Sequence, residues 1–221
     1  MQLSPVQVRI LGCLLEKERT TPDNYPLTMN ALLSACNQST NRYPVVSFNQ
    51  PTVELAVDNL RAENLLRIDY SRSGRADRYR QILDQALGID AGEAGLLTVL
   101  MLRGPQTSAE LRARSERLHP FADQFEVDAV LARLAARPEP LVVRLAPAPG
   151  QKGARWAHLL GGEVPVEAAA PAPDSPRTSR SDRLEALEET VTLLRDEVER
   201  LGTEHEALAT RLAQLESGLG A

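Results

Sequence analysis

The stretch from Ser47 to Arg80 constrains this chain most, because its hydrophobic period changes once, and sharply. From Gln50 to Glu63, Val53, Val57 and Leu60 recur at helical spacing with Ala56 beside them, and Asn64 continues the row, so one face is mostly apolar. Pro51 sits near the start, where a missing N–H costs nothing, and Ser47 or Asn49 can cap the first turn. In Leu66-Arg67-Ile68-Asp69-Tyr70, apolar side chains then alternate with charged ones, the period of a half-buried strand. Ser71-Arg72-Ser73-Gly74-Arg75 is turn chemistry, and Arg78-Tyr79-Arg80 alternates back. The stretch predicts a helix followed directly by a basic hairpin.

Two helices are predicted ahead of it. Ser4 and Pro5 read as a cap and first helical residue, and Val6, Ile10, Leu11, Leu14 and Leu15 give an apolar face through Glu18. Leu27 to Cys36 reads as a second helix, with Met29, Leu32, Leu33 and Cys36 inward. The same order then returns. Asp90–Leu102, Thr107–Ser115 (with a capping box from Thr107 to Glu110) and Ala122–Ala136 are helical by pattern. Leu141–Leu145 and Arg155–His158 read as a hairpin in which Trp156 takes the place of Tyr79. Internal duplication is the simplest account. Three helices and a two-stranded wing describe a winged helix, so the predicted fold is α+β: two tandem winged-helix (helix-turn-helix) domains over residues 1–86 and 87–162.

Residues 163–180 are rich in Pro, Ala and Ser and read as a linker. Residues 181–217 carry heptads. Leu184, Val191, Val198 and Leu212 occupy a positions, interrupted by His205, and Leu187, Leu194, Leu201, Leu208 and Leu215 occupy every d. This predicts a coiled coil, and β-branched a residues with Leu at d favour a parallel pair, hence a homodimer.

Charge and composition narrow the function classes. The net charge of −5 is uneven: residues 1–88 carry 10 Lys/Arg against 9 Asp/Glu, whereas residues 161–221 carry 6 against 13. A strongly basic footprint for nucleic acid is therefore absent at domain level, but positive charge is local to 67–80, where five arginines face Asp69 and Asp77. Cys13 and Cys36 form no CxxC pair, and no metal or cofactor is expected. No signal peptide is recognised and no apolar run reaches the ~18 residues of a membrane span, so a cytoplasmic protein is expected.

Three segments carry a family resemblance: Leu11-Gly12-Cys13-Leu14-Leu15-Glu16-Lys17-Glu18, Thr21-Pro22-Asp23-Asn24-Tyr25-Pro26-Leu27-Thr28, and Ala35-Cys36-Asn37-Gln38 with Asn41-Arg42. Through them the first 160 or so residues resemble the YceH-like family of bacterial proteins. The resemblance implies tandem winged-helix domains and implies no activity.

Two functions from different classes fit the residues. In the first, the helix from Gln50 enters a major groove of double-stranded DNA, with Ser47, Asn49, Gln50 and Thr52 at base edges and Arg72, Arg75, Arg78 and Arg80 on phosphates. Against it, Glu54 and Asp58 on the same helix repel phosphate, and the arginines would equally solvate a surface hairpin. In the second, the winged helices are docking modules for a protein partner. Catalysis is not expected, because His119, His158 and His205 are scattered and no phosphate loop or nucleophile motif occurs. Asn37, Gln38, Asn41 and Arg42 form a polar cluster suited either to turn formation or to a ligand or partner site.

Overall fold

A computed structural model of the chain describes residues 2–70, 76–146 and 153–162. Arg72, Arg75, the linker 163–180 and the heptads 181–217 lie outside the described residues. In chain order the elements are α1 (Pro5–Thr20), β1 (Leu27–Thr28), α2 (Met29–Cys36), α3 (Gln50–Ala62), β2 (Leu66–Asp69) and β3 (Arg78–Gln81). They are followed by α4 (Leu83–Leu87), α5 (Ala91–Arg103), α6 (Ser108–Ser115), α7 (Gln124–Ala135), β4 (Val142–Leu145) and β5 (Arg155–His158). The fold is α+β, with seven helices among the described residues and small antiparallel sheets.

Helix α1 begins at a capping box. The Gln7 N–H donates to Ser4 Oγ at 3.3 Å, and Ser4 N–H donates to Gln7 Oε1 at 2.7 Å, an arrangement worth roughly 1 kcal/mol. Every residue from Gln7 to Leu15 is buried, not only the face that periodicity marks. The reason is that α1 is covered on two sides, by α2 and α3 and by α5. Helix α5 is likewise buried from Gly92 to Leu102 and is apolar almost all round, as a central core helix must be. It starts at a second capping box, Asp90 with Glu93. Gly12 permits the close crossing of α1 and α5: a Cβ there would lie 2.9 Å from Leu102 Cδ2 and 3.3 Å from Met101 Cβ.

The first sheet has the order β1-β3-β2, with Leu27 opposite Tyr79, and Ile68 opposite Tyr79 on the other side. The second pairs β4 with β5, and Gln106 bridges to Trp156 with backbone bonds of 3.0 and 2.7 Å. The halves therefore repeat in detail. Leu27 pairs beside Tyr79 and the next residue, Thr28, caps α2; Gln106 pairs beside Trp156 and the next residue, Thr107, caps α6. Two elements differ from the sequence reading. Leu27 and Thr28 form a strand rather than the first turn of a helix, because Tyr79 offers them a backbone partner and Thr28 serves as the cap. Helix α4 is an addition: Gln81 Oε1 accepts from Leu83 N–H at 2.7 Å and starts it, and Gly88, with φ of 58°, ends it.

Candidate functional site

The predicted interface helix is α3. Asn49 caps it, its Oδ1 accepting from the backbone N–H of Thr52 at 3.0 Å and from Thr52 Oγ1 at 2.7 Å. Val53, Ala56, Val57 and Leu60 face the core. Asn64 does not continue that face; it lies beyond the helix end with φ of 57°, a left-handed position that asparagine tolerates. Ser47, Asn49, Gln50 and Thr52 are all exposed at the start of α3. Three of them are already engaged locally, since Gln50 Nε2 donates to Glu54 Oε1 at 2.7 Å and Asn49 holds Thr52.

Beside α3, the hairpin turns one face inward and one outward. Ile68 and Tyr79 are half-buried against the core, while Arg67, Arg78 and Arg80 are exposed. Arg67 stands opposite Arg80, and Asp69 opposite Arg78. Arg80 Nε lies 3.6 Å from Asp69 Oδ2, with both side chains about half exposed, so the pair contributes little and leaves the cation available. Arg78 spends one N–H on the Pro26 carbonyl at 2.9 Å. Burial, and then Asp77, Glu54 and Asp58, push the Tyr79 phenol up, which marks an acidic edge of α3 facing the hairpin. Leu55 (65% exposed) and Tyr70 (60%) add apolar area, and the Arg61 guanidinium sits 5.8 Å from the Tyr70 ring centre.

The polar cluster that follows α2 is drawn together and turned inward. Arg42, 4% exposed, donates to both carboxylate oxygens of Glu16 (3.1 and 2.6 Å), to Gln38 Oε1 (2.8 Å) and to the Ala35 and Asn41 carbonyls. Burial pulls its pKa down, but the hydrogen bond to Glu16 and the neighbouring Cys13 outweigh this, and the net direction is up. Asn37 clamps Phe48 in both directions, donating to its carbonyl at 2.9 Å and accepting from its N–H at 2.8 Å. Asn41, at φ of 60°, accepts from Arg103 of α5. Each of these four side chains thus has at least one partner inside the chain.

Arg9 belongs to the same region and was not singled out by the sequence reading, although a charge inside the run Val6–Leu15 is the signal that marks it. It is 4% exposed and donates to the carbonyls of Cys36 (3.1 Å) and Pro44 (2.6 Å). Cys13 and Cys36 are buried nearby as thiols, and Cys13 Sγ donates to the Ala35 carbonyl at 3.2 Å.

Two helix-and-hairpin halves closed on one helical core, with an exposed arginine face beside α3, define an α+β class of protein. The family can be named more narrowly. A family model described as "Protein of unknown function, DUF480" matches residues 3–151, and the chain belongs to that family. A UPF0502 protein of Pelobacter propionicus is 48% identical over 206 residues, covering 91% of this chain and 94% of that protein. A second, from Geobacter sulfurreducens, is 47% identical over 198 residues (87% and 90%), and a third, from Burkholderia ambifaria, 45% over 214 (96% and 89%). The resemblance carried by residues 11–42 is thereby established as family membership.

Proposed function

We propose that each half is a winged helix and that the first binds double-stranded DNA in a regulatory, non-catalytic role in the cytoplasm. The observation that carries this reading is the outward face of the hairpin, where Arg67, Arg78 and Arg80 are exposed beside the uncovered start of α3. In the bound state Ser47, Asn49, Gln50 and Thr52 approach base edges, and Arg78 and Arg80, with Arg72 and Arg75 of the sequence between β2 and β3, grip phosphates through bidentate forks. The heptads 181–217 join two chains, so that two first-half hairpins act at once and avidity multiplies a modest single-site affinity.

A second reading keeps the fold and replaces DNA with a protein. It is favoured by Leu55 and Tyr70, both well exposed, next to Glu54 and Asp58 on the same side of the molecule.

Duplex binding measured against salt separates the two. Each phosphate contact adds about −0.9 to the slope of log affinity against log salt. A chain with Arg72, Arg75, Arg78 and Arg80 changed to alanine should lose about 2–4 units of slope if those arginines hold phosphate. Negligible duplex binding at low salt by both chains would end the DNA reading for non-specific duplex.

A further inference from the structure

A cleft of about 410 Å³ lies between the two halves, within the range of roughly 300–1,000 Å³ typical of small-molecule sites. Its walls are largely apolar: Leu3 and Val8 from the start of the chain, Val46 and Phe48 from the segment before α3, and Leu100 and Met101 from α5. Three side chains with polar atoms interrupt them, Arg9, Tyr43 and His158.

Arg9 is the informative one. A buried cation is normally matched by a carboxylate, because the desolvation cost of an isolated charge is large. Arg42, whose charge acts on Arg9, has Glu16. Among the described residues Arg9 has two carbonyls, which use two of its five N–H groups. No carboxylate lies within ion-pair distance of it among the described residues; the titratable groups that act on it are Cys13, Cys36 and Arg42. Burial is the largest influence on its pKa and lowers it; Cys13 and Cys36 act upward and Arg42 downward, and the net direction is down. His158 is the second irregularity: its Nδ1 is buried with no hydrogen-bond partner among the described residues. Burial pushes its pKa down to about 4, so the ring is neutral near pH 7 and can offer one N–H without adding charge.

We infer that this cleft binds a small organic carboxylate with an apolar body, the carboxylate completing the charge balance of Arg9 and the body lying against Val8, Val46, Phe48, Leu100 and Met101. The inference is independent of DNA binding and holds for either reading of the function. Its basis is charge complementarity: a buried cation with no carboxylate partner among the described residues, lining an apolar cavity of ligand size.

The test is equilibrium dialysis of the full chain near neutral pH against octanoate, 1-octanol and octylammonium, which share an apolar tail and differ in head group. Octanoate is expected to saturate at one molecule per chain and to bind at least about tenfold more tightly than the other two, as one charge-assisted contact warrants. R9Q keeps a donor for the carbonyls and removes the charge, and should weaken octanoate about tenfold or more without changing the affinity for octanol. If R9Q does not fold by circular dichroism, V46W decides: it fills the cleft from a half-buried loop position, leaves Arg9 intact, and should abolish octanoate binding. No saturable octanoate binding up to about 10 mM, equal affinity for octylammonium, or unchanged binding to V46W would each overturn the proposal.

Discussion

Arg42 and Glu16 form a two-pronged ion pair between the loop after α2 and the fourth turn of α1, Nη1 to Oε1 at 3.1 Å and Nη2 to Oε2 at 2.6 Å, with the Arg42 side chain wholly enclosed. The same guanidinium collects Gln38, Asn41 and Ala35. Residues 35–42 therefore turn around one cation, and the loop that leads to α3 is fixed to α1. Removing one member of a buried pair leaves the other uncompensated and typically costs about 3–5 kcal/mol. R42M is expected to fall in that range by urea unfolding. E16Q, which keeps an acceptor and sits at a more exposed position, is expected to lose less, and the double variant less than the sum of the two. Strict additivity would show that the pair is not energetically coupled.

Gly12 makes a prediction of opposite character. On helix propensity alone, G12A should stabilise a mid-helix position by about 0.5–1 kcal/mol. The added methyl would lie 2.9 Å from Leu102 Cδ2 and 3.1 Å from Leu102 Cγ, and Leu102 is 3% exposed, with little room to move. Overpacking costs roughly 1–3 kcal/mol and outweighs the propensity gain. G12A is therefore expected to be less stable than the parent chain by thermal melting, and L102A should suppress part of that loss. A more stable G12A would mean that α1 and α5 can separate at no cost.

How much of this was legible in advance follows from the range of each interaction. The α1, α3, α5 and α7 spans were readable because their apolar residues recur at helical spacing, and Ser4, Asn49, Asp90 and Thr107 cap as their residue types predict. The Leu27–Thr28 strand was not, since two residues carry no period and the partner, Tyr79, is far along the chain. Nor was α4, whose start is a side-chain bond from Gln81. The residues proposed to meet DNA were visible as residue types; Ser47, Asn49, Gln50, Thr52, Arg78 and Arg80 are exposed, and Arg72 and Arg75 lie outside the described residues. The inward turn of Arg42 and the burial of Arg9 were not visible, because a polar residue in a helical row gives no sign of which neighbour will cover it.

His158 links stability to pH. Its pKa in the folded chain, about 4, lies below the ordinary histidine value near 6.5, because burial disfavours the imidazolium. The unfolded chain thus binds the extra proton first as pH falls. Stability from this group is complete above pH 6.5 and is lost progressively between 6.5 and 4. The full shift corresponds to roughly 3–4 kcal/mol as an upper bound. Urea midpoints measured across that window should fall more steeply for the parent chain than for H158F, which removes the titrating ring and keeps its volume. Parallel curves would assign the acid sensitivity to carboxylates instead.

Glu54 and Asp58 allow the DNA reading to be tested by gain rather than loss. Both are exposed on α3, both act on Tyr79 of the hairpin, and neither lies in the core face of the helix. If α3 and the arginine face approach a duplex, these carboxylates oppose it through like-charge repulsion with phosphate, and neutralising them should help. E54Q with D58N is expected to tighten binding of a random duplex by about threefold to thirtyfold at low ionic strength, an effect that shrinks as salt screens the interaction. Surface changes of this kind move stability by no more than about 0.5 kcal/mol, so the folded population is unaffected. Fluorescence anisotropy of a labelled duplex gives the affinity directly. Under the protein-docking reading the same substitutions leave duplex affinity unchanged, and they weaken capture of a basic protein partner, so the sign of the effect tells the two readings apart.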